Sequence, residues 1–274
     1  MSYQPATHYD RVTTAWGLLL GEELHYGVFK DPSEALAAAT RHLTEAMIDA
    51  AQLSPGLQVL DVGCGTGAPA CTLAAEHGVR VTGITTSRAG IEAARARATA
   101  VGQADLVSFE ERDGMDNGFP AEAFDRVWVL ESSHLMRERD RLIAECARVL
   151  RPGGRMALCD IILQRRLDLA EVRRLREPLK LLRAVFGDAR MEPLEEYARL
   201  AADAGLIVES ETDLTTATLP TFTRWRENAQ RHRDQVIELL GQESWQQFAD
   251  SCDVLEGFWN DGTLGYGLLA ATKP

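Results

Sequence analysis

The chain has 274 residues, 45% hydrophobic and 26% charged, with 29 Lys and Arg against 41 Asp and Glu and a formal net charge of −12. That composition suits a globular protein with one core and appended elements. The acid excess argues against an electrostatic grip on nucleic-acid phosphates or anionic membranes, so neither is expected as a partner. No apolar run reaches the roughly 18–20 residues that a membrane span needs. The opening "MSYQPATHYDRV" also lacks the basic and apolar regions of a secretory signal. Five cysteines (Cys64, Cys71, Cys146, Cys159, Cys252) are scattered without a C-x-x-C pair, which fits reduced cytoplasmic thiols and no metal site.

Along the chain, apolar runs alternate with amphipathic segments. "SEALAAATRHLTEAMIDAAQL" has helical periodicity, with Ser33 as the expected cap. "LQVLDVG" reads as a buried strand, Thr66 to His77 as a helix closed by Gly78, and "VRVTGIT" as a second strand. A helix capped by Ser87 and ending at Gly102 follows. Then come the strands "LVSFEER" and "FDRVWVLES", the helix "ERDRLIAECARVL", an "RPGG" turn and the strand "RMALCDIIL". Apolar strands alternating with helices predict an α/β, doubly wound, mostly parallel sheet covered on both faces.

Beyond Asp160 the pattern changes. A charged helical stretch from Leu167 to Phe186 precedes the helix "MEPLEEYARLAADAG" and the strand "LIVESETDL". A long helical region from Phe222 to about Trp259 leads to the last strand, "TLGYGLLAAT". The arginines of "RRLDLAEVRRLR" alternate with acids and apolar residues and read as a solvated helix face. The expected organisation is a helical lid over 1–32, a cofactor-binding core over 33–162, and a substrate cap over 163–274 interleaved with the last two strands.

The loop "VLDVGCGTGAPA" (Val59 to Ala70) carries the main functional signal. Gly63, Gly65 and Ala68 satisfy the spacing of a dinucleotide fingerprint, which rests a pyrophosphate on a helix N-terminus. Asp61 beside that loop would repel a pyrophosphate. S-adenosylmethionine carries an ammonium and a sulfonium and has no phosphate, so electrostatics favours the methyl donor. Thr85, where NAD enzymes prefer an acid about 20 residues beyond the loop, points the same way.

These residues resemble motif I of class I S-adenosylmethionine-dependent methyltransferases, and "VTGITTS", "ERDGMDNGFPAEAFDRVW" and "ARVLRPGGRMALCD" follow in that family's order. "LHYGVF" and "ESSHLM" are similar to segments of bacterial natural-product enzymes, including sugar O-methyltransferases. The resemblance implies a Rossmann-like sheet of seven strands with the last antiparallel, and a small-molecule substrate; self-association into a homo-oligomer is left open. It implies Asp61, Gly63 and Gly65 at the methionine portion of the cofactor, Asp113 and Met115 at the adenine, and Thr85 or Thr86 at the ribose. Tyr26 and Glu131 join them as cofactor-binding candidates. "GITTS" is similar to the type found in sterol, tocopherol and cyclopropane-forming enzymes, but Gly90 stands where those often have glutamine.

Methyl transfer to a hydroxyl needs in-line positioning and a base. His134, after the fourth strand, is the expected base, and Asp160, ending the fifth, would orient it or take a proton itself. The resembled sugar enzymes often double the histidine, and here the second position is Leu135. His25, beside Tyr26, is the weaker of the two as a cofactor contact, and His8, His42, His77 and His232 have no acid or cysteine at ligand spacing. Tyr9 and Trp16 would belong to the lid. Phe222, Trp225, Phe258 and Trp259 would line an apolar pocket or pack the long helices. Two rival readings stay open: methylation at carbon or nitrogen on the same scaffold, and a catalytically inert cofactor-binding protein.

Overall fold

The structure is a computed structural model that describes residues 15–274. His8 and Tyr9, with the first part of the expected lid, lie outside the described residues. Seven strands form one sheet: β1 (Gln58–Val62), β2 (Arg80–Thr85), β3 (Val107–Glu111), β4 (Phe124–Leu130), β5 (Leu150–Leu163), β6 (Ile207–Asp213) and β7 (Leu264–Thr272). Their order is β3-β2-β1-β4-β5-β7-β6. β1 to β5 run parallel, and β7 is antiparallel to both β5 and β6.

The strands alternate at period 2 between two core layers. Leu60, Val62, Val127 and Val129 face one layer, while Val59, Trp128 and Leu130 face the other. The first layer is closed by α4 (Arg139–Val149) and α7 (Leu194–Asp203). The second is closed by α1 (Leu36–Ala51), α2 (Ala68–His77) and α3 (Arg88–Ala100). It continues into α6 (Arg176–Phe186), α9 (Thr221–Arg231) and α11 (Gln242–Asn260), whose apolar faces meet one another. Short helices α5 (Leu169–Arg174), α8 (Thr215–Thr218) and α10 (Arg233–Leu240) complete the chain. Among the described residues, no helix is long and apolar enough to cross a membrane.

Several boundaries differ from the sequence expectation. Ser33 does not cap α1: its N–H and hydroxyl both bond Asp31, and the helix begins at Leu36 with Ala35 at the cap position. The helix after the glycine loop starts at Ala68 rather than Thr66, with Pro69 in its first turn. "RPGG" lies inside β5, where the register jumps from Phe124↔Leu150 to Arg126↔Arg155 and the intervening residues bulge out. The stretch Leu167–Phe186 divides at Leu175, and Phe222–Trp259 divides at His232 and Gly241. Ser87 does cap its helix, accepting the Gly90 N–H at 2.9 Å.

Strand order reverses between β1 and β4, which opens a crevice beyond their carboxyl ends. Two loops meet there. Ser132, after β4, donates its hydroxyl to the Val62 carbonyl at 2.6 Å. A Cβ on Gly63 would lie 2.2 Å from that of Ser132, and Gly63 has φ +83°. Gly65 also has positive φ, at +53°, but open space around it. Gly63→Ala should therefore cost ~2–4 kcal/mol, from left-handed strain plus overpacking, against ~1–2 kcal/mol for Gly65→Ala. Denaturant unfolding checks the ordering, and equal midpoints for the two variants would contradict this loop contact.

Candidate active site

Beyond the strand ends lies a cavity of about 790 Å³, within the range of roughly 300–1,000 Å³ usual for small-molecule sites. The loops after β1, β2, β3 and β4 form its floor, and Leu179, Leu182, Phe186, Trp225 and Leu255 form an apolar wall. Every candidate cofactor residue named from the sequence lines it, as does His134; Asp160 sits behind the histidine. Among the described residues, no group of three or more His, Cys, Asp and Glu is arranged to hold a metal ion.

Asp61 is 3% exposed, and its Oδ2 has no hydrogen-bond partner among the described residues. Burial pushes its pKa up to about 7. A buried acid left unsatisfied next to a backbone loop fits a ligand that brings a positive charge to the cavity, and not one that brings a phosphate.

In the loop after β2, Thr85 Oγ1 accepts the Ser87 N–H at 3.2 Å, so that hydroxyl braces its own turn. Thr86 is exposed at the rim. Asp113 Oδ1 accepts the Met115 N–H at 2.9 Å and fixes the loop after β3. Gly90 has a steric reason invisible in the sequence: a Cβ there would stand 3.0 Å from the Gly65 carbonyl oxygen. Helix α3 approaches the glycine loop so closely that any side chain at this position would press on the Gly65 carbonyl.

Glu131 is half-buried at φ +47°, beyond the end of β4. Its Oε1 accepts the Tyr26 N–H at 2.8 Å and the Tyr266 hydroxyl. The bonds of Glu131 therefore hold the "LHYGVF" segment against the sheet. The Tyr26 ring stacks on Trp259 at 5.4 Å and meets Trp225 edge-on at 4.8 Å, so it is packed as well as cavity-lining. Of the four expected pocket aromatics, Trp225 lines the cavity, while Phe222, Phe258 and Trp259 are buried in packing. His25 donates Nδ1–H to the Tyr26 carbonyl at 2.8 Å and lies 2.9 Å from Glu23 through Nε2. Burial lowers its pKa, but Glu23 and Glu131 outweigh that and raise it.

His134 lies in a 3₁₀ turn (Ser133–Leu135) and is 7% exposed. Its Nδ1–H donates to Asp160 Oδ1 at 2.6 Å, and its backbone N–H donates to Oδ2 at 3.0 Å. Nε2 is thereby left as the nitrogen that accepts a proton. Asp160 is wholly buried and also accepts Ser133 Oγ–H at 2.5 Å and the Ile161 N–H at 2.8 Å. Burial alone would raise the Asp160 pKa, yet His134 and Ser133 hold it below the ordinary value. For His134, burial acts downward, and the charge and hydrogen bond of Asp160 more than reverse it. A carboxylate that fixes one imidazole nitrogen beside a cavity is the arrangement of a general base.

The glycine loop at the switch point, the unsatisfied acid and the buried His–Asp pair define a class I S-adenosylmethionine-dependent methyltransferase. More particularly, the chain belongs to the family described as mycolic acid cyclopropane synthetase, whose profile matches residues 2–258. It is 38% identical over 269 residues to 27-O-demethylrifamycin SV methyltransferase of Amycolatopsis mediterranei (strain S699), covering 97% of this chain and 95% of that one. Among solved structures, the [4+2]-cyclase SpnF is similar at a TM-score of 0.83 and 27% identity, over 98% of this chain and 95% of that one. The cyclopropane synthase MmaA2 from Mycobacterium tuberculosis shares the fold at a TM-score of 0.88 and 19% identity, over 98% and 97% of the two chains.

Asp61→Asn should weaken S-adenosylmethionine binding tenfold to a hundredfold, since a charge-assisted contact contributes ~1.5–3 kcal/mol. Only the ionised carboxylate attracts the cation, and its pKa is near 7 in the free protein. Wild-type affinity should therefore rise as pH climbs through neutrality, and the asparagine variant should show a flat profile. Calorimetry at matched ionic strength checks both, and a pH-independent wild-type dissociation constant would contradict the role of Asp61.

Proposed function

We propose that the protein methylates a hydroxyl of a small, largely apolar natural product, with His134 as the general base and Asp160 holding it. The single observation that carries this reading is the 2.6 Å bond from Nδ1 of the cavity-lining His134 to a fully buried Asp160 behind it. The 27-O-demethylrifamycin relative, named for an oxygen position, supports it. Residues 33–162 would hold the cofactor, with Asp61, Gly63 and Gly65 at its methionine portion, Asp113 and Met115 at the adenine, and Thr85 or Thr86 at the ribose. Glu131 and Tyr26 would close that end of the cavity. Residues 163–274 would select the acceptor, and 1–32 would cover both ligands. Five free, buried cysteines support a cytoplasmic setting.

When bound, the cofactor supplies a methyl group made electrophilic by its sulfonium. The residues of this chain do the rest. The apolar wall excludes water and holds the acceptor against the floor of the cavity. His134 Nε2 takes the hydroxyl proton as the oxygen becomes nucleophilic, and Asp160 stabilises the resulting imidazolium. Asp160 also keeps the proton on Nδ1, without which Nε2 would have no lone pair to offer.

His134→Ala should lower kcat ~10²–10⁴-fold and leave cofactor affinity nearly intact. The wild-type rate should rise with pH, because only neutral imidazole is a base, with a midpoint above the ordinary histidine value. Asp160→Asn removes the charge that raises the His134 pKa, so the acid limb should move to lower pH while the plateau falls. Single-turnover transfer by each variant across about pH 6–9 tests this. A near-wild-type, pH-independent rate for His134→Ala would overturn base catalysis and favour methylation at carbon.

A further inference from the structure

We propose that Arg139, Tyr197 and Ser133 form a one-way chain of hydrogen-bond donors that ends on Asp160 and positions the His134 imidazole. This rests on the reading of His134 as base. None of the three lines the cavity, so each acts through another residue and is a positioning residue rather than a catalytic one.

The direction of the chain follows from its two ends. A guanidinium only donates and a carboxylate only accepts. Arg139 Nε–H donates to the Tyr197 hydroxyl oxygen at 3.1 Å. Ser133 has one hydroxyl proton, and it goes to Asp160 Oδ2 at 2.5 Å. The 2.8 Å bond between Ser133 and Tyr197 must then have the tyrosine as donor. With Oδ2 occupied by Ser133 and the His134 backbone N–H, Oδ1 takes the Ile161 N–H and His134 Nδ1–H. Every proton in the network is thereby assigned, and the histidine tautomer with it.

Arg139 is costly where it stands. It is 6% exposed, and among the described residues it has no carboxylate within ion-pair distance and its Nη1 has no hydrogen-bond partner. It also opens α4, where the helix dipole disfavours a cation. An apolar side chain of similar volume would pack there without that penalty. Its Nη2 bonds the Arg190 carbonyl, and the Arg190 N–H donates to the His134 carbonyl at 2.8 Å. One guanidinium thus holds the turn bearing His134 through the donor chain and through the backbone.

The charged groups facing His134 are Asp160 from β5, Glu131 from the end of β4 and Arg139 from α4. Weakening the donors to Asp160 concentrates negative charge on Oδ1 and strengthens its hold on the imidazolium proton. The histidine then charges at higher pH. The rate at neutral pH falls, because less neutral base is present.

The test is ¹⁵N NMR of the histidine side chains over about pH 5–9, with His134 assigned from its loss in His134→Gln, alongside the pH profile of methyl transfer. The wild type should show the Nδ1–H tautomer. Tyr197→Phe should raise the His134 midpoint by about half a pH unit, and Ser133→Ala, which removes a direct donor, by about one unit or more. The acid limb of the rate should shift by the same amounts, with recovery at high pH. An Nε2–H tautomer in the wild type would overturn the proposal. So would an unmoved midpoint in Tyr197→Phe, the milder variant, which keeps the aromatic ring in the core; lost stability alone would mark a structural role. Since the spectra require no methyl acceptor, a normal transfer rate for His134→Ala would remove the base reading and leave the donor chain standing.

Discussion

The carboxylate of Asp160 is the constraint around which the site is arranged. It sits wholly buried on an interior strand, with β4 on one side and β7 on the other. An ion there is costly unless its lone pairs are met. Four donors meet them: the imidazole and backbone of His134, the Ser133 hydroxyl and the Ile161 N–H. Three of those come from the turn after β4, so that turn must adopt the tight 3₁₀ form that aims consecutive groups at one acceptor. The same turn begins with Ser132, whose hydroxyl ties it to the end of β1 and whose Cβ needs Gly63 opposite. The position of the glycine loop and the orientation of the histidine are thus consequences of a single buried charge.

Asp160, Glu131 and Asp61 approach the cavity, and their oxygens are met to different extents. Asp160 is saturated by donors. Glu131 is met by Tyr26 and Tyr266 and lies near the His25 imidazole, which Glu23 also holds. Asp61 has an oxygen with no hydrogen-bond partner among the described residues. Burial raises the pKa of both Asp61 and Glu131, while the pKa of Asp160 is lowered. Buried polar atoms are normally paired, so of these three acids Asp61 is the one with an oxygen left over for a ligand in the cavity.

Much of this was legible in the sequence because it is local. The periodicity of "LQVLDVG" and "FDRVWVL" gives buried strands, and Ser87 and Gly78 mark helix ends by their own chemistry. The motif order located Asp61, the glycines and His134 on one edge of the sheet. What escaped depends on distant partners. Ser33 reads as a cap, but the neighbouring Asp31 takes its bonds. "RPGG" reads as a turn, but β4 and the chain end pair around it. Tyr197 and Arg139 look like ordinary helical residues, since Ser133 is 64 positions from Tyr197 and nothing local links them. Gly90 looked like a missing glutamine until the approach of α3 to Gly65 gave it a steric reason.

The cavity of this chain divides into a polar floor and an apolar wall. Proteins as different as a cyclopropane synthase and a [4+2]-cyclase have chain paths closely similar to this one. Fold alone therefore does not select a reaction. In this chain the groups able to move a proton or meet a cation come from the carboxyl ends of β1, β4 and β5, locked together by short hydrogen bonds. The wall comes from α6, α9 and α11, through Leu179, Leu182, Phe186, Trp225 and Leu255. Apolar burial is non-directional and scales with area, so these helices can be resurfaced for another acceptor without disturbing the Asp160 network. The reverse does not hold. A change at Ser133 or Asp160 alters the hydrogen bonds that hold the His134 imidazole, whatever lines the wall.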